Sequence, residues 1–191
     1  INGDPGVKDG NGYISKIQSN GAVTIQKFIG GKKDEALLHA PKGLVILGKK
    51  IYVADIDAVK GFEKETGKPA EIYDLSKFNA KFLNDITTDD KGFLYVSDTL
   101  TNQVFKINTG KGHETTIFKE GKVLGGPNGL FFNPKTKNLM VVTFASGQIL
   151  EIDRTGKIHV LKRGLLKLDG VDYDLQGNLY VSSFEKGEIY K

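Results

Sequence analysis

Short runs of apolar residues, interleaved with small or polar ones, recur along this chain between clusters rich in Gly, Asp, Asn, Thr and Lys. The clearest are Ile51-Tyr52-Val53-Ala54-Asp55, Leu94-Tyr95-Val96-Ser97-Asp98, Leu139-Met140-Val141-Val142-Thr143 and Leu179-Tyr180-Val181-Ser182-Ser183. Runs of this length, bounded by turn formers and rich in Val, Ile and Tyr, predict strands. Each is preceded by a similar opening: Lys42-Gly43-Leu44, Asn84-Asp85-Ile86, Asn128-Gly129-Leu130 and Asp169-Gly170-Val171. Successive openings lie 42, 44 and 41 residues apart.

Each repeat divides into four strands, here a to d. In the third repeat these are Asp85–Thr88, Phe93–Ser97, Gln103–Ile107 and Thr115–Phe118. Asp89-Asp90-Lys91-Gly92 and Thr109-Gly110-Lys111-Gly112 mark the a–b and c–d turns. Asn133-Pro134-Lys135-Thr136-Lys137 and Asp153-Arg154-Thr155-Gly156 do so in the next repeat. No segment sustains a helical period, and the best helix candidate is the short connector Lys33–His39. A period near 42 residues built from four short strands predicts an all-β fold, a β-propeller.

About four and a half blades are visible in one domain. Residues 1–34 end a blade, 35–79, 80–122 and 123–164 are full blades, and 165–191 start another. The expected parent is a six-bladed ring of about 250 residues, monomeric when complete, with about 60 residues lying outside this sequence. A first residue that is Ile rather than Met fits an excerpt of a longer chain.

Composition narrows the function classes. Hydrophobic residues make up 39% and charged residues 26%, as in a globular protein rather than a disordered tail. There is no Cys, so disulfides, thiolate metal sites and cysteine nucleophiles are excluded. The net charge of +4 comes from 27 basic residues, of which only Arg154 and Arg163 are arginine. Scattered lysines without arginine clusters do not predict nucleic-acid binding. The apolar runs are too short to span a bilayer. No nucleotide loop, H-E-x-x-H or G-x-S-x-G occurs.

In a propeller, strand a lines the central channel, and the residue opening it sits near one face. That column reads Lys42, Asn84, Asn128, Asp169. Two amides and a carboxylate offer oxygen donors suited to a hard cation, Ca²⁺ before Mg²⁺. The same residues before Gly also serve as ordinary turn formers, and Lys42 is an unfavourable member of a cation column.

Asn84-Asp85 followed by Gly92-Phe93-Leu94-Tyr95-Val96-Ser97, then Gly126-Pro127-Asn128-Gly129-Leu130, then Leu168-Asp169-Gly170-Val171, resembles the regucalcin/gluconolactonase-like (senescence marker protein) family of six-bladed propellers. The resemblance covers nearly the whole chain. It implies that Asn84, Asn128 and Asp169, with a Glu from the first blade, hold a divalent cation, Ca²⁺ foremost. It further implies hydrolysis of a small lactone or ester, the cation polarising the carbonyl and activating water. Asp169 is then a candidate catalytic base as well as a ligand, and Asn84 could contact substrate. The alternative is a non-catalytic propeller binding a small molecule or protein on the same face. The family's usual settings point to a periplasmic or extracytoplasmic location.

Further polar residues lie outside this column. His39, in a d–a connector, is a candidate substrate contact or proton shuttle. His113 and His159 belong to a c–d turn and an outer strand. Asp55 and Asp98 close strand b at equivalent positions, which predicts bonding to the backbone of the turn that follows. Residues 2–12 read as a rim loop, in which Asp9-Gly10-Asn11-Gly12 lacks the full ligand set of a calcium loop.

Overall fold

The computed structural model describes residues 6–31, 37–110 and 112–191. The chain divides into two compact units, Ile1–Leu83 and Asn84–Lys191. Among the described residues the only helical elements are two 3-10 turns, Ser76–Phe78 and Lys122–Leu124. The candidate helix Lys33–His39 lies mostly outside the described residues; where description resumes, Leu38 forms a bridge with Gly12 rather than a helical turn.

In the first unit, β1 (Tyr13–Ile17) pairs with β2 (Val23–Gly30). A four-stranded antiparallel meander follows, of β3 (Pro41–Leu47), β4 (Lys50–Asp55), β5 (Ala58–Glu63) and β6 (Pro69–Asp74). Its second strand is buried from Ile51 to Asp55, whereas only Tyr73 is buried in β6. A strand covered on both faces reads as a continuous apolar run, and an outer strand does not. The core gathers Ile29, Leu38, Ile51, Val53 and Phe62.

The second unit repeats the meander. β7 (Leu83–Thr88, whose first residue closes the first unit), β8 (Phe93–Asp98), β9 (Gln103–Asn108) and β10 (Thr115–Glu120) form one sheet. β11 (Pro127–Phe132), β12 (Leu139–Thr143), β13 (Ile149–Ile152) and β14 (Ile158–Lys162) form the next. β15 (Leu168–Tyr173), β16 (Leu179–Ser183) and β17 (Glu188–Tyr190) form a three-stranded sheet. The strands expected between Asp85 and Phe118 are found with ends shifted by two residues or fewer.

The a–b turns are set by one device. Asp89 Oδ1 accepts the N–H groups of Lys91 and Phe93, each at 2.9 Å. Asn133 Oδ1 caps Lys135 at 2.9 Å, and Asp174 Oδ1 caps Asn178 at 2.8 Å. A short polar side chain that bonds its own backbone two to four residues on mimics a turn and competes with strand pairing. Core clusters lie between successive sheets of this unit. Tyr95, Val104, Leu130, Val141 and Leu150 belong to one, and Met140, Val142, Leu168 and Val181 to another.

One irregularity prepares a site. The pairing register slips between Pro41 and Leu44, between Pro127 and Leu130, and between Leu168 and Val171. Each slip is a bulge holding an opening pair: Lys42-Gly43, Asn128-Gly129 or Asp169-Gly170. A bulge re-aims side chains away from the ladder.

Candidate functional site

Asn84, Asn128 and Asp169 all fall in the second unit, at the openings of β7, β11 and β15. Asn84 is partly buried, and its Nδ2 donates to Thr99 Oγ1 at 3.1 Å. Thr99 Oγ1 in turn donates to the Pro127 carbonyl at 2.8 Å. One hydroxyl therefore joins Asn84 to the backbone just before Asn128, and the Asn84 Oδ1 is left without a hydrogen bond among the described residues.

Asn128 is 4% exposed, and its backbone carbonyl accepts a 2.6 Å bond from Ser97 Oγ. Its side-chain amide makes no hydrogen bond among the described residues. Its amide atoms are not sealed off, because among the described residues the only enclosed side-chain polar atom without a partner is Asn11 Oδ1; water or a ligand can therefore reach the Asn128 amide. Asp169 is exposed and its carboxylate has no hydrogen-bond or ion-pair partner among the described residues. Its backbone carbonyl lies close to Gly129, where an added Cβ would stand 2.3 Å from the oxygen.

Asp85 is the residue that sequence reasoning missed. Its Oδ2 accepts the Leu130 N–H at 2.8 Å and its Oδ1 accepts the Ile86 N–H at 2.9 Å. Burial pushes its carboxyl above the usual carboxylate range and the Asp169 charge adds to this, while the two N–H groups oppose it. One signal was available: Asp85 stands where the other three openings carry Gly43, Gly129 and Gly170.

Among the described residues no group of three His, Cys, Asp or Glu side chains is arranged to hold a metal ion. A cation here would rely on Asn84 and Asn128 amide oxygens with the Asp169 carboxylate, a donor set whose chemistry fits a hard ion. A cavity of about 440 Å³ in this unit, lined by Phe131, Asn133, Tyr173 and Leu175 among others, includes none of these three residues.

The remaining candidates lie in the first unit. The Lys42 ammonium sits 5.7 Å from the centre of the Phe82 ring, a cation–π contact. His39 Nδ1 accepts the Gly10 N–H at 3.0 Å, so the neutral imidazole holds the loop that sequence reading placed on the rim. That loop is also tied by Lys8 to Asp57 at 2.6 Å, and the Asp9 carboxylate turns onto Asn11. His113 lies between β9 and β10, and His159 lies on β14, 3.8 Å from Asp153.

Burial lowers the His39 pKa below its ordinary 6.5, with Lys60 and Lys8 acting the same way against Asp55 and Asp9. Above that value both folded and unfolded chains hold a neutral imidazole. Below it the unfolded chain takes a proton that the folded one resists, so stability is lost as pH falls. Denaturant melts at about pH 7.5 and about pH 5.5 should show a smaller acid loss in His39→Gln than in the unsubstituted protein. Equal losses would remove His39 as the source.

Asp98 meets its expectation: Oδ1 accepts the N–H groups of Leu100 and Thr101 in the following turn, each at 3.0 Å. Asp55 does not. It accepts from His39 and Ala40 in the preceding connector, and from Lys60 Nζ at 2.7 Å. The reason is turn length. Asp55 pairs directly with Ala58, leaving a two-residue turn in which Ile56 takes φ 55°, whereas Asp98 pairs with Gln103 across four residues.

These sheets have the β-propeller fold. Of solved structures, a catalytically inactive variant of virginiamycin B lyase from Staphylococcus aureus with quinupristin is similar at a TM-score of 0.73 and 18% identity, over 95% of this chain and 59% of that one. Selenomethionine-substituted virginiamycin B lyase from the same organism gives 0.63 and 16%, over 78% of this chain and 54% of that one. A streptogramin B lyase gives 0.66 and 12%, over 78% and 53%. The chain thus spans between 53% and 59% of the length of these structures. No family model matches the chain, and no curated protein matches it.

Proposed function

We propose that the chain carries a divalent-cation site, Ca²⁺ by preference, formed by Asn84, Asn128 and Asp169, and belongs to a gluconolactonase-like hydrolase of a small lactone or ester. The observation that carries this reading is the Asn128 amide, held on a largely buried residue, without a hydrogen bond among the described residues and still open to a ligand. The free Asn84 Oδ1 and the unpaired Asp169 carboxylate support it. A bound cation would polarise a carbonyl oxygen for attack. Asp169, exposed and unpaired, is the side chain able to take a proton from an attacking water, and Asn84 is the amide able to orient substrate. That solved structures similar to this chain include virginiamycin B lyase and a streptogramin B lyase is compatible with chemistry at such a site, and the substrate class proposed here follows from the motif resemblance.

The donor set holds one formal negative charge, and Ca²⁺ affinity grows with ligand charge. Calorimetric titration should therefore show weak Ca²⁺ binding that Asp169→Asn abolishes. Equal affinity in both proteins would discard Asp169 as a ligand. Silence from the unsubstituted protein would discard the cation and leave the non-catalytic binding propeller.

A further inference from the structure

The strand opening at Gly129 leaves no room for a side chain. The neighbouring first strand passes so close that a Cβ would collide with the Asp169 carbonyl at 2.3 Å and crowd Gly170 Cα at 3.1 Å. β7 has no glycine at the equivalent position. It carries Asp85, whose carboxylate reaches across to β11 and takes the Leu130 N–H at 2.8 Å. Its other oxygen takes the Ile86 N–H on its own strand at 2.9 Å.

Two hydroxyls complete the attachment. Ser97, fully buried, accepts the Asp85 N–H at 3.0 Å and donates to the Asn128 carbonyl at 2.6 Å. Thr99 donates to the Pro127 carbonyl at 2.8 Å and receives the Asn84 amide at 3.1 Å. Residues 127–130, the bulged segment around Asn128, are therefore fastened at Pro127, Asn128 and Leu130 by three side chains from the preceding repeat. At the next repeat Ser182 Oγ also accepts an N–H, that of Gly170 at 2.8 Å, but glycine there leaves no carboxylate to reach further.

We propose that Asp85 is a positioning residue for the cation site, holding the β11 bulge so that the Asn128 amide is presented beside Asn84. The proposal rests on the cation reading given above. Asp85 is not assigned to the ligands, because both its oxygens are engaged by backbone N–H groups. What it supplies is the fixed backbone from which Asn128 projects, and a ligand held by packing and hydrogen bonds loses less freedom when it binds.

Asp85→Gly restores the residue found at the other three openings and removes both carboxylate bonds without adding bulk. Asp85→Asn keeps the shape and one acceptor oxygen but removes the charge. Amide hydrogen exchange at Leu130 and Ca²⁺ calorimetry are measured on both variants and on the unsubstituted protein. Asp85→Gly should free the Leu130 amide and weaken Ca²⁺ binding about tenfold or more, the range of a charge-assisted hydrogen bond, while amides of β13 stay protected. Asp85→Asn should fall between the two. If Asp85→Gly frees Leu130 but leaves Ca²⁺ affinity unchanged, or if Leu130 stays protected, the positioning role is overturned and the cation reading stands. If Asp85→Asn loses as much affinity as Asp85→Gly, the effect is charge alone and positioning is again overturned. If the unsubstituted protein binds no Ca²⁺, the cation reading fails and this proposal fails with it.

Discussion

Asp55→Ala should cost the first unit about 3–5 kcal/mol, the range for breaking one partner out of a buried charged pair. Asp55 is 1% exposed and the Lys60 side chain 13%. The carboxylate accepts the Ala40 N–H at 2.7 Å and the His39 N–H at 3.0 Å as well as the Lys60 ammonium. Alanine would strand two enclosed N–H groups and leave Lys60, among the described residues, with only the Leu37 carbonyl at 2.6 Å. Urea denaturation measures the loss directly. Adding Lys60→Met to Asp55→Ala should recover part of it, because an apolar pair no longer buries an uncompensated charge. A single-variant loss below about 1 kcal/mol, the scale of an exposed pair, would show that the network contributes little.

Gly129→Ala is the second large effect, and here the cause is steric. The new Cβ would stand 2.3 Å from the Asp169 carbonyl and 3.0 Å from Val142 Cγ2. The first of these is backbone and cannot swing aside, and overpacking of this kind costs about 1–3 kcal/mol or more. For a chain of this size each kcal/mol lowers Tm by about 2–4 °C. Gly170→Ala is the control: its nearest neighbour is a movable side-chain oxygen, Ser182 Oγ at 3.2 Å. Thermal melts should show a marked drop for Gly129→Ala and a small one for Gly170→Ala. Similar drops would mean that loss of glycine flexibility, not the approach of β15, is responsible.

The repeat was legible because each strand owes its existence to local chemistry. Asp89, Asn133 and Asp174 each build their own turn, and Gln103 and Thr115 begin strands where the spacing placed them. The openings Asn84, Asn128 and Asp169 were legible as a column because the blades repeat. What lay beyond reach was anything decided between repeats. Asp55 and Asp98 align in sequence, yet a turn shorter by two residues sends Asp55 backward to His39 and Ala40. Asp85 looked like a companion of Asn84. Its partner, the Leu130 N–H, lies 45 residues away in the sequence, and only the approach of β11 to β7 reveals the bond. The amide of Asn128 was a candidate ligand by type; that it makes no hydrogen bond among the described residues emerges only from the packed unit.

The meander order has a consequence for the time at which parts of the molecule become usable. Among the described residues every strand pairs only with its neighbours in sequence, so each sheet can close as soon as its own stretch of chain has left the ribosome, and local closure is fast. The bonds around Asn128 obey a different clock. Ser97, Thr99 and Asp85 emerge a full repeat before the backbone they hold, and the carbonyl that crowds Gly129 emerges a repeat after it. A nascent chain thus pairs its sheets well before the bonds around Asn128 are complete. A chain cut within either neighbour of β11 would lack the arrangement around Asn128.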